Sequence, residues 1–271
     1  SSATVTITDT LTSAVTATLP AGVENLTLTG SALADGKGNA GPNVLIGNSN
    51  NNILTGLTGN DSYRFVANTQ LGSDTITEVA NDGIDTINLA STNSGVRLNL
   101  GITTLQTVNA NLKLTITNAN TVENMFGGNG GDVLIGNALG NTLSGGLGAD
   151  RLTGGLGLDR FRFASGVAFA TTIGNDYIAD FLPGEDKIEL SKTTFAAITT
   201  GAGVALTSFA TVNDDALVDS SLSVIVYSSS SGGLFYNMNG ATTGDATKVF
   251  EFASLGNVPT TLLASDFTVI A

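Results

Sequence analysis

The stretch that decides the fold is residues 127–162, which divides into the four nine-residue units GGNGGDVLI, GNALGNTLS, GGLGADRLT and GGLGLDRFR. Each unit begins with glycine, has an acid or amide at its sixth position and an apolar or aromatic residue at its eighth. The sixth-position residues are Asp132, Asn141, Asp150 and Asp159, and the eighth-position residues are Leu134, Leu143, Leu152 and Phe161. Because side chains alternate between the faces of a strand, each unit predicts a short strand with only its eighth residue pointing inward. The period predicts an all-β fold, a parallel β-roll (β-solenoid) with two units per turn.

The spacing of glycines and carboxylates in these units indicates a cation site. Glycine at the first, second and fourth positions allows a tight turn whose carbonyls point inward, where a side chain would clash. Calcium takes about six to eight oxygen ligands, whereas zinc prefers nitrogen or sulfur. Repeats of the form G-G-x-G-x-D-x-U-x are typical of calcium-binding parallel β-helices. Residues two units apart stack, which pairs Asp132 with Asp150 on one edge and Asn141 with Asp159 on the other.

A second block with the same period covers residues 38–64 and reads GNAGPNVLI, GNSNNNILT and GLTGNDSYR. Its sixth positions are Asn43, Asn52 and Asp61, so only the last carries a charge. Neutral amides offset the lost hydration of a cation less well than carboxylates do. We therefore expect the site between Asn43 and Asp61 to be weaker than the site between Asp132 and Asp150.

Each block is followed by a similar tail, which indicates a duplication and two rolls in series. The tripeptide Val-Glu-Asn precedes both blocks, at residues 23–25 and 122–124. Two Gly-x-Asp turns follow each block, ending at Asp74 and Asp85 in the first half and at Asp176 and Asp186 in the second. We expect these turns to close over Asn52, Asp61, Asp150 and Asp159 respectively, with Asp180 adding an oxygen at the last of them. Aspartate and asparagine also favour tight turns that hold no metal, but recurrence at a fixed phase favours calcium.

The predicted metal ligands are side chains at the sixth positions and in the Gly-x-Asp turns, and backbone carbonyls of the nonapeptide turns. The side-chain ligands are Asp132, Asp150, Asn141, Asp159, Asn43, Asp61, Asn52, Asp74, Asp85, Asp176, Asp180 and Asp186. The carbonyl ligands are those of Gly127, Asn129, Gly146, Gly148, Gly136, Ala138, Gly155 and Gly157. The expected cofactor is Ca²⁺ at several sites.

These repeats resemble the haemolysin-type calcium-binding repeats of RTX proteins. From residue 154 onward the chain also resembles the C-terminal region of serralysin-type secreted proteases, through GGLGLDRFRFASG, IADFLPGEDKIELS, GGLFYNMNG and the closing LLASDFTVIA. The resemblance covers roughly residues 23–271 and includes no counterpart of the protease catalytic domain. It implies a secreted protein, a C-terminal secretion signal at residues 266–270, and the type I secretion apparatus as a partner during export.

The amino-acid composition is consistent with calcium binding and argues against several other functions. The formal charge is -13 and the pI about 4.1, which disfavours binding to nucleic acids or anionic membrane surfaces. Histidine and cysteine are absent, which removes most hydrolase mechanisms and any disulfide. No nucleophile elbow or phosphate-binding loop occurs, and the pair Asp214-Asp215 fits a solvated loop better than a glycosidase site. We expect no catalytic activity from this chain.

The predicted organisation has four parts: an N-terminal β-strand segment at 1–30, a first, weaker roll at 31–126, a second roll at 127–190, and a β-rich C-terminal cap with the secretion signal at 191–271. The first segment carries Val5, Ile7 and Leu11 among threonines. It lacks the basic and apolar regions of a signal peptide, and no apolar run is long enough to span a membrane. The chain begins without methionine, and we expect it to be a piece of a longer protein.

The leading hypothesis is a non-catalytic calcium-binding module of an extracellular protein, exported by type I secretion and folded by calcium outside the cell. One buried apolar side chain per unit is too little to order nine residues, so bound cations must supply the difference. The alternative is a calcium-dependent structural protein of the cell surface, an S-layer, filament or adhesin subunit that self-associates. An ice-binding or glycan-binding face is a third hypothesis, disfavoured because no outward threonine ladder or aromatic platform recurs across the units.

Overall fold

The computed structural model describes residues 8–239 and 246–271, and the regular secondary structure of these residues is almost entirely β-strand. It divides into two compact units, the first formed by Ser1–Asn93 and Leu100–Met125, the second by Ser94–Asn99 and Phe126–Ala271. The strands expected around Val5 and Ile7 lie outside the described residues. Among the residues described, no helix combines the length and apolar character that a membrane crossing requires.

The strands are short, as the nine-residue period predicts. Those of the first half are β1 (Thr10–Ser13), β2 (Ala17–Thr18), β3 (Asn25–Leu28), β4 (Gly36–Lys37), β5 (Val44–Ile46), β6 (Ile53–Thr55), β7 (Ser62–Arg64), β8 (Gly72–Thr77), β9 (Thr86–Asn88), β10 (Arg97–Asn99), β11 (Gln106–Thr107) and β12 (Leu112–Ile116). Those of the second half are β13 (Asn124–Phe126), β14 (Val133–Ile135), β15 (Thr142–Ser144), β16 (Arg151–Thr153), β17 (Arg160–Phe163), β18 (Asp176–Ile178), β19 (Lys187–Ser191), β20 (Phe209–Val212), β21 (Ile225–Ser228), β22 (Gly233–Asn237), β23 (Val249–Leu255) and β24 (Phe267–Ile270). Short 3-10 helices lie at Thr171–Ile173, Asp215–Ser220, Ala246–Lys248 and Ala264–Asp266.

In the first unit, successive strands alternate between two sheets, which is the geometry of a β-roll. Strands β1, β3, β5, β7 and β9 pair side by side in one sheet, and β2, β4, β6, β8 and β12 in the other. The pairings within both series are parallel, and β11 joins the edge of the second sheet antiparallel to β12. This arrangement confirms the predicted parallel roll.

The second unit repeats the alternation through the nonapeptides and then departs from it. Strands β10, β14, β16, β18 and β23 pair in one sheet, and β15, β17, β19 and β24 in the other. Leu134 lies opposite Leu152, and Leu143 opposite Phe161, so equivalent positions two units apart stack in register as predicted. After β19 the chain forms a hairpin of β21 and β22, which are antiparallel.

The interior of each roll is lined by two columns of side chains, one from each sheet. The eighth-position residues Leu134, Leu143, Leu152 and Phe161 are fully buried, as predicted, and so are Leu45, Leu54 and Tyr63 in the first unit. Strand positions on either side of them are more exposed, so each turn contributes little apolar area. The rolls are therefore stabilised mainly by backbone hydrogen bonds and by the interactions made in the turns.

The C-terminal segment packs an aromatic core of its own. Phe195 lies in edge contact with Tyr236 and Phe252, with ring centroids 5.0 Å apart in both pairs, and Phe169 contacts Tyr236 at 5.1 Å. The end of the chain is ordered as β24, which pairs parallel to β19, with Ile188 opposite Phe267. This segment closes one end of the second unit with a conventional hydrophobic core.

Candidate metal centres

In the second unit the sixth-position residues stack into two ladders, one on each edge of the roll. The backbone N–H of Asp132 donates to Oδ1 of Asp150 at 2.8 Å, and that of Asp150 donates to Oδ1 of Asp176 at 3.0 Å. On the other edge, the N–H of Asn141 donates to Asp159 at 2.7 Å, and that of Asp159 donates to Asp186 at 3.0 Å. The structure thus brings together the pairs that the period predicts, and all these side chains are buried.

The first unit has equivalent ladders. The N–H of Asn43 donates to Asp61 at 2.7 Å, and that of Asp61 donates to Asp85 at 2.8 Å. On the second edge, the N–H of Asn52 donates to Asp74 at 2.9 Å. Each Gly-x-Asp turn therefore closes over the sixth-position residue predicted for it, although its loop is longer than a repeat.

Asp180 lies where the sequence predicts, beside the Asp159 turn. Its two carboxylate oxygens accept the backbone N–H groups of Gly154 and Gly155, at 2.8 and 2.9 Å. Asp180 also acts electrostatically on Asp159, whose pKa burial raises to about 7. The third-position residues Asn129 and Ala138 are exposed at the tips of their turns, and their carbonyls stay predicted ligands.

The nonapeptide turns adopt two conformations. In what we term open turns, the second and fourth positions have positive φ, as at Gly146 (103°) and Gly148 (116°) before Asp150. The turn before Asp159 is open in the same way. The turn before Asp61 is open too, with Leu57 at 85° in the position that glycine holds elsewhere. A leucine at positive φ is strained, so the surrounding turn imposes this shape.

The other turns are closed by the sixth-position side chain itself. Oδ1 of Asn141 accepts the N–H of Asn137 at 2.7 Å, and its amide nitrogen donates to Oδ1 of Asn137 at 3.1 Å. The same pair of hydrogen bonds links Asn43 to Asn39 and Asn52 to Asn48. Asp132 closes its turn with one such bond, from the N–H of Gly128 at 2.7 Å. In the asparagine turns, the oxygen and the nitrogen of the sixth-position amide both form hydrogen bonds with the asparagine at the second position.

Two open turns contain a carboxylate oxygen that lacks a partner. Oδ2 of Asp61 and Oδ2 of Asp150 are buried and accept no hydrogen bond. Burying an unpaired polar atom is unfavourable by about 1–3 kcal/mol, and more for a charged group. A cation at these positions would satisfy both atoms, so the donor chemistry fits a hard metal ion such as calcium.

The first-position glycines leave room for these oxygens. A Cβ added to Gly145 would overlap the carboxylate of Asp150, and one added to Gly127 would overlap both Oδ2 of Asp132 and the carbonyl oxygen of Gly145. At Gly136 the overlap would be with Oδ1 of Asn141 and the carbonyl of Gly154. At Gly127 and Gly136, a side-chain oxygen and a backbone carbonyl oxygen from the turn two units later approach the same point, and both are donor types that a hard cation prefers.

The electrostatics of the ladders are unfavourable without a cation. Burial raises the pKa of Asp150 to about 7 and that of Asp61 to about 6. Asp176 has a pKa well above its usual value, because of burial and then the nearby charges of Asp150 and Asp132. In the described part of the chain, the ion pairs use Glu189 and Asp266 and not the sixth-position aspartates. These carboxylates can be neutralised by protons or by a bound cation.

Sequence reasoning missed two glutamates in the first unit. Glu78, Asp61 and Asp85 each place a carboxylate oxygen within 4.8 Å of the others, and the Tyr63 hydroxyl donates to Oε1 of Glu78. Glu123 continues the same ladder, because its Oε2 accepts the N–H of Asp85 at 2.7 Å. The duplication offered a signal, since Glu78 and Asp180 occupy equivalent places after Asp74 and Asp176.

The pair Asp214-Asp215 does not form an acid-base site in the structure. Oδ1 of Asp214 accepts the N–H of Ala216 at 3.0 Å and so caps the 3-10 helix Asp215–Ser220. Asp215 is exposed and accepts hydrogen bonds from Ser230 and Ser231. Both carboxylates have local structural partners, which agrees with the solvated loop predicted from sequence.

Comparison with known families identifies the repeat region. The model of the family described as Peptidase M10 serralysin C terminal matches residues 43–202, more than half of the chain. The chain belongs to this serralysin C-terminal family. Its members carry RTX calcium-binding repeats in a β-roll, which confirms the resemblance drawn from the nonapeptides. The match begins at residue 43, well before residue 154, where the sequence resemblance to the serralysin C-terminal region begins.

Membership of the serralysin C-terminal family defines the general character of the chain. The family supports a calcium-binding repeat module and corresponds to the non-catalytic part of serralysin. That agrees with a chain that has neither histidine nor cysteine. No curated protein sequence matches the chain significantly.

Proposed function

We propose that this chain is a calcium-driven folding module of an exported protein, and that the ladder carboxylates are its calcium ligands. The observation that carries the proposal is the orphaned Oδ2 of Asp150, buried in a ladder of carboxylates without a cationic partner. Membership of a calcium-binding family makes calcium the natural occupant. The open turns before Asp61, Asp150 and Asp159 are the primary sites.

The closed turns are proposed as weaker sites. Their asparagine side chains already have hydrogen-bond partners within the turn, and they are neutral. A cation at Asn43, Asn52 or Asn141 would have to share or displace those bonds. We therefore propose that the open turns fill first and that the asparagine turns fill only at higher calcium.

Calcium would supply both charge compensation and cross-links between successive turns. Without calcium, each ladder places negatively charged carboxylates close together in a buried position, and the apolar interior of the roll is too small to offset their repulsion. With it, one ion joins residues of two turns and neutralises their carboxylates, so that binding free energy becomes folding free energy. Extracellular calcium modules bind at about 0.1–1 mM, far above cytosolic calcium. The chain would therefore stay unfolded during type I export and fold in the medium.

The test is circular dichroism and calorimetry on calcium-stripped protein. We expect weak strand signal in excess chelator, recovery of the signal as calcium reaches about 0.1–1 mM, and a measurable heat of binding. Magnesium at the same concentration is the control, because it prefers a smaller octahedral site and keeps its waters. Full strand signal in chelator, with no heat on adding calcium, would refute the proposal.

Export is tested separately. Co-expression with a type I exporter should place the chain in the medium, and deletion of residues 264–271 should abolish its appearance there. An unrelated reporter exported by the same apparatus controls for exporter function. Equal secretion of the full and truncated chains would contradict the proposed role of the C-terminal residues, without bearing on calcium binding.

A further inference from the structure

The densest cluster of acidic oxygens found in the described residues lies at the end of the first repeat block. Asp61, Glu78 and Asp85 are all buried, and their carboxylates approach one another within 4.8 Å. Asp61 and Asp85 occupy positions that the repeat pattern selects, whereas Glu78 lies outside the repeats, in the tail that follows them. Its side chain nevertheless reaches back to the Asp61 turn.

Two of these carboxylates, those of Asp61 and Glu78, meet beside Gly56, the first residue of the last unit in this block. A Cβ at Gly56 would overlap Oε1 of Glu78 and Oδ2 of Asp61, and would lie 2.6 Å from the hydroxyl of Tyr63. Oδ2 of Asp61 has no hydrogen-bond partner, and Asp61 is only 1% exposed. An unpartnered, fully buried carboxylate oxygen therefore points into the cluster, which indicates a missing positive ligand.

Tyr63 gives this cluster a feature that the second unit lacks. It occupies the eighth position, where Phe161 stands in the equivalent unit, and it is fully buried. Its hydroxyl donates to Oε1 of Glu78. A phenylalanine would fill the same interior space, so the hydroxyl is used for positioning Glu78 and not for packing.

We propose that Asp61, Glu78 and Asp85 together bind one calcium ion, with the Tyr63 hydroxyl holding Glu78 toward it. The inference rests on the proposed function and adds to it a ligand and a positioning residue. With three carboxylates, this site binds calcium more tightly than the amide-containing turns of the first unit, because affinity for calcium rises with the charge of the ligand set. The first roll, although poor in repeat aspartates, thus holds one tight site.

Terbium is a suitable probe, because it occupies calcium sites and emits when excited through a nearby tyrosine. The chain has no tryptophan and four tyrosines, so Tyr63 is a natural sensitiser. We expect terbium emission excited through tyrosine to appear on the full chain and to be displaced by calcium. Tyr63→Phe should lose this site's emission while binding the same number of ions. Tyr227→Phe, in strand β21 of the C-terminal segment, is the control that should retain it.

Glu78→Gln tests the new ligand while preserving side-chain shape. Calorimetry with calcium should show one site lost or weakened at least about tenfold, as for other changes around a metal. Tyr63→Phe should weaken the same site by a smaller factor and leave the others unchanged. Circular dichroism in saturating calcium checks that both variants fold.

The outcomes separate this inference from the function on which it rests. If the unaltered chain binds calcium but Glu78→Gln and Tyr63→Phe show the same number of ions, affinities and terbium emission, the three-carboxylate site is wrong and the folding module stands. If the unaltered chain binds neither calcium nor terbium, both proposals fall. If Glu78→Gln does not fold, unchanged emission and affinity in Tyr63→Phe would still overturn the inference.

Discussion

Asp132 and Asp150 are joined by a hydrogen bond of 2.8 Å, from the backbone N–H of the first to Oδ1 of the second. The other oxygen of Asp150, Oδ2, is buried without a partner. One carboxylate oxygen thus keeps successive turns in register, while the other is left for a cation. An amide can perform the first task but not supply the charge needed for the second.

Asp150→Asn should separate these two tasks. Asparagine keeps the oxygen that accepts the N–H of Asp132 and removes the charge that faces the cation. We expect calcium affinity at this edge to fall at least about tenfold, with a normal strand signal once calcium is saturating. Calorimetry gives the affinity and circular dichroism the fold.

The control for Asp150→Asn is Asp214→Asn in the same unit. Asp214 caps a 3-10 helix, and asparagine caps as well as aspartate. It should bind calcium as the unaltered chain does. Equal affinities for the two variants would show that Asp150 is not a ligand.

Gly148→Ala tests whether the open turn is required. Gly148 has φ 116°, and a Cβ there would lie 2.7 Å from the carbonyl oxygen of Gly130. The positive φ alone lowers the free energy of unfolding of the alanine variant by about 1–2 kcal/mol, and the clash with the backbone lowers it further. We expect a lower urea midpoint in saturating calcium, together with weaker calcium binding.

Gly201→Ala provides the matched comparison for the glycine variant. Its nearest foreign atom to an added Cβ is 3.8 Å away, an ordinary contact, and its φ is not positive. This variant should lie within about 0.5 kcal/mol of the unaltered chain. If Gly148→Ala is equally mild, the open conformation is not needed for stability.

Asn141→Asp should convert a closed turn toward an open one. The change removes the amide hydrogen that bonds Asn137 and adds a charge next to Asp159. We expect tighter calcium binding on this edge, measured by calorimetry, and a still weaker strand signal of the calcium-free chain, measured by circular dichroism of stripped protein. Asn213→Asp, at an exposed site in the same unit, should change neither the calcium affinity nor the behaviour of the calcium-free chain. Loss of calcium affinity in Asn141→Asp would contradict the proposed weakness of amide turns.

The roll and its ladders were predictable because a fixed period forces stacking. Once two units make a turn, Leu134 must lie over Leu152 and Asp132 over Asp150, and the structure has both pairs. The closing turns at Asp74 and Asp176 were predictable from the duplication, even though their loops are longer than a repeat.

The turn conformations and Glu78 were not predictable from the period. Three turns close around an asparagine at the second position that pairs with the sixth residue, as Asn137 does, but the Asp132 turn closes with Gly128 at that position. Leu57, in an open turn, adopts a conformation typical of glycine. Glu78 lies between Asp61 and Asp85, which stack although they are 24 residues apart, whereas Asn43 and Asp61 stack at the regular spacing of 18. In this longer segment, the position of a residue in the nine-residue period no longer predicts whether its side chain faces inward. Such contacts depend on long-range packing.

The pH dependence of stability should change sign when calcium is added. Burial raises the pKa of Asp150 to about 7 and that of Asp61 to about 6 in the calcium-free fold, above the usual 3.8. Such carboxyls favour the folded chain below about pH 4, and this contribution is lost as the pH rises through about 6–7, because the folded form then has to hold buried charges. Calcium competes with the same protons, so its affinity should rise over that interval.

The strand signal of calcium-stripped protein in circular dichroism between about pH 4.5 and 8 measures the first effect, and urea unfolding in saturating calcium over the same pH range measures the second. We expect the strand signal of the stripped protein to fall as the pH rises, and the urea midpoint of the calcium-loaded protein to rise. Asp150→Asn should flatten both curves, because one of the titrating carboxyls is gone. A strand signal that rises with pH in the stripped protein would mean that the ladder carboxylates find their positive partners within the polypeptide, which the structure does not show for the residues it describes.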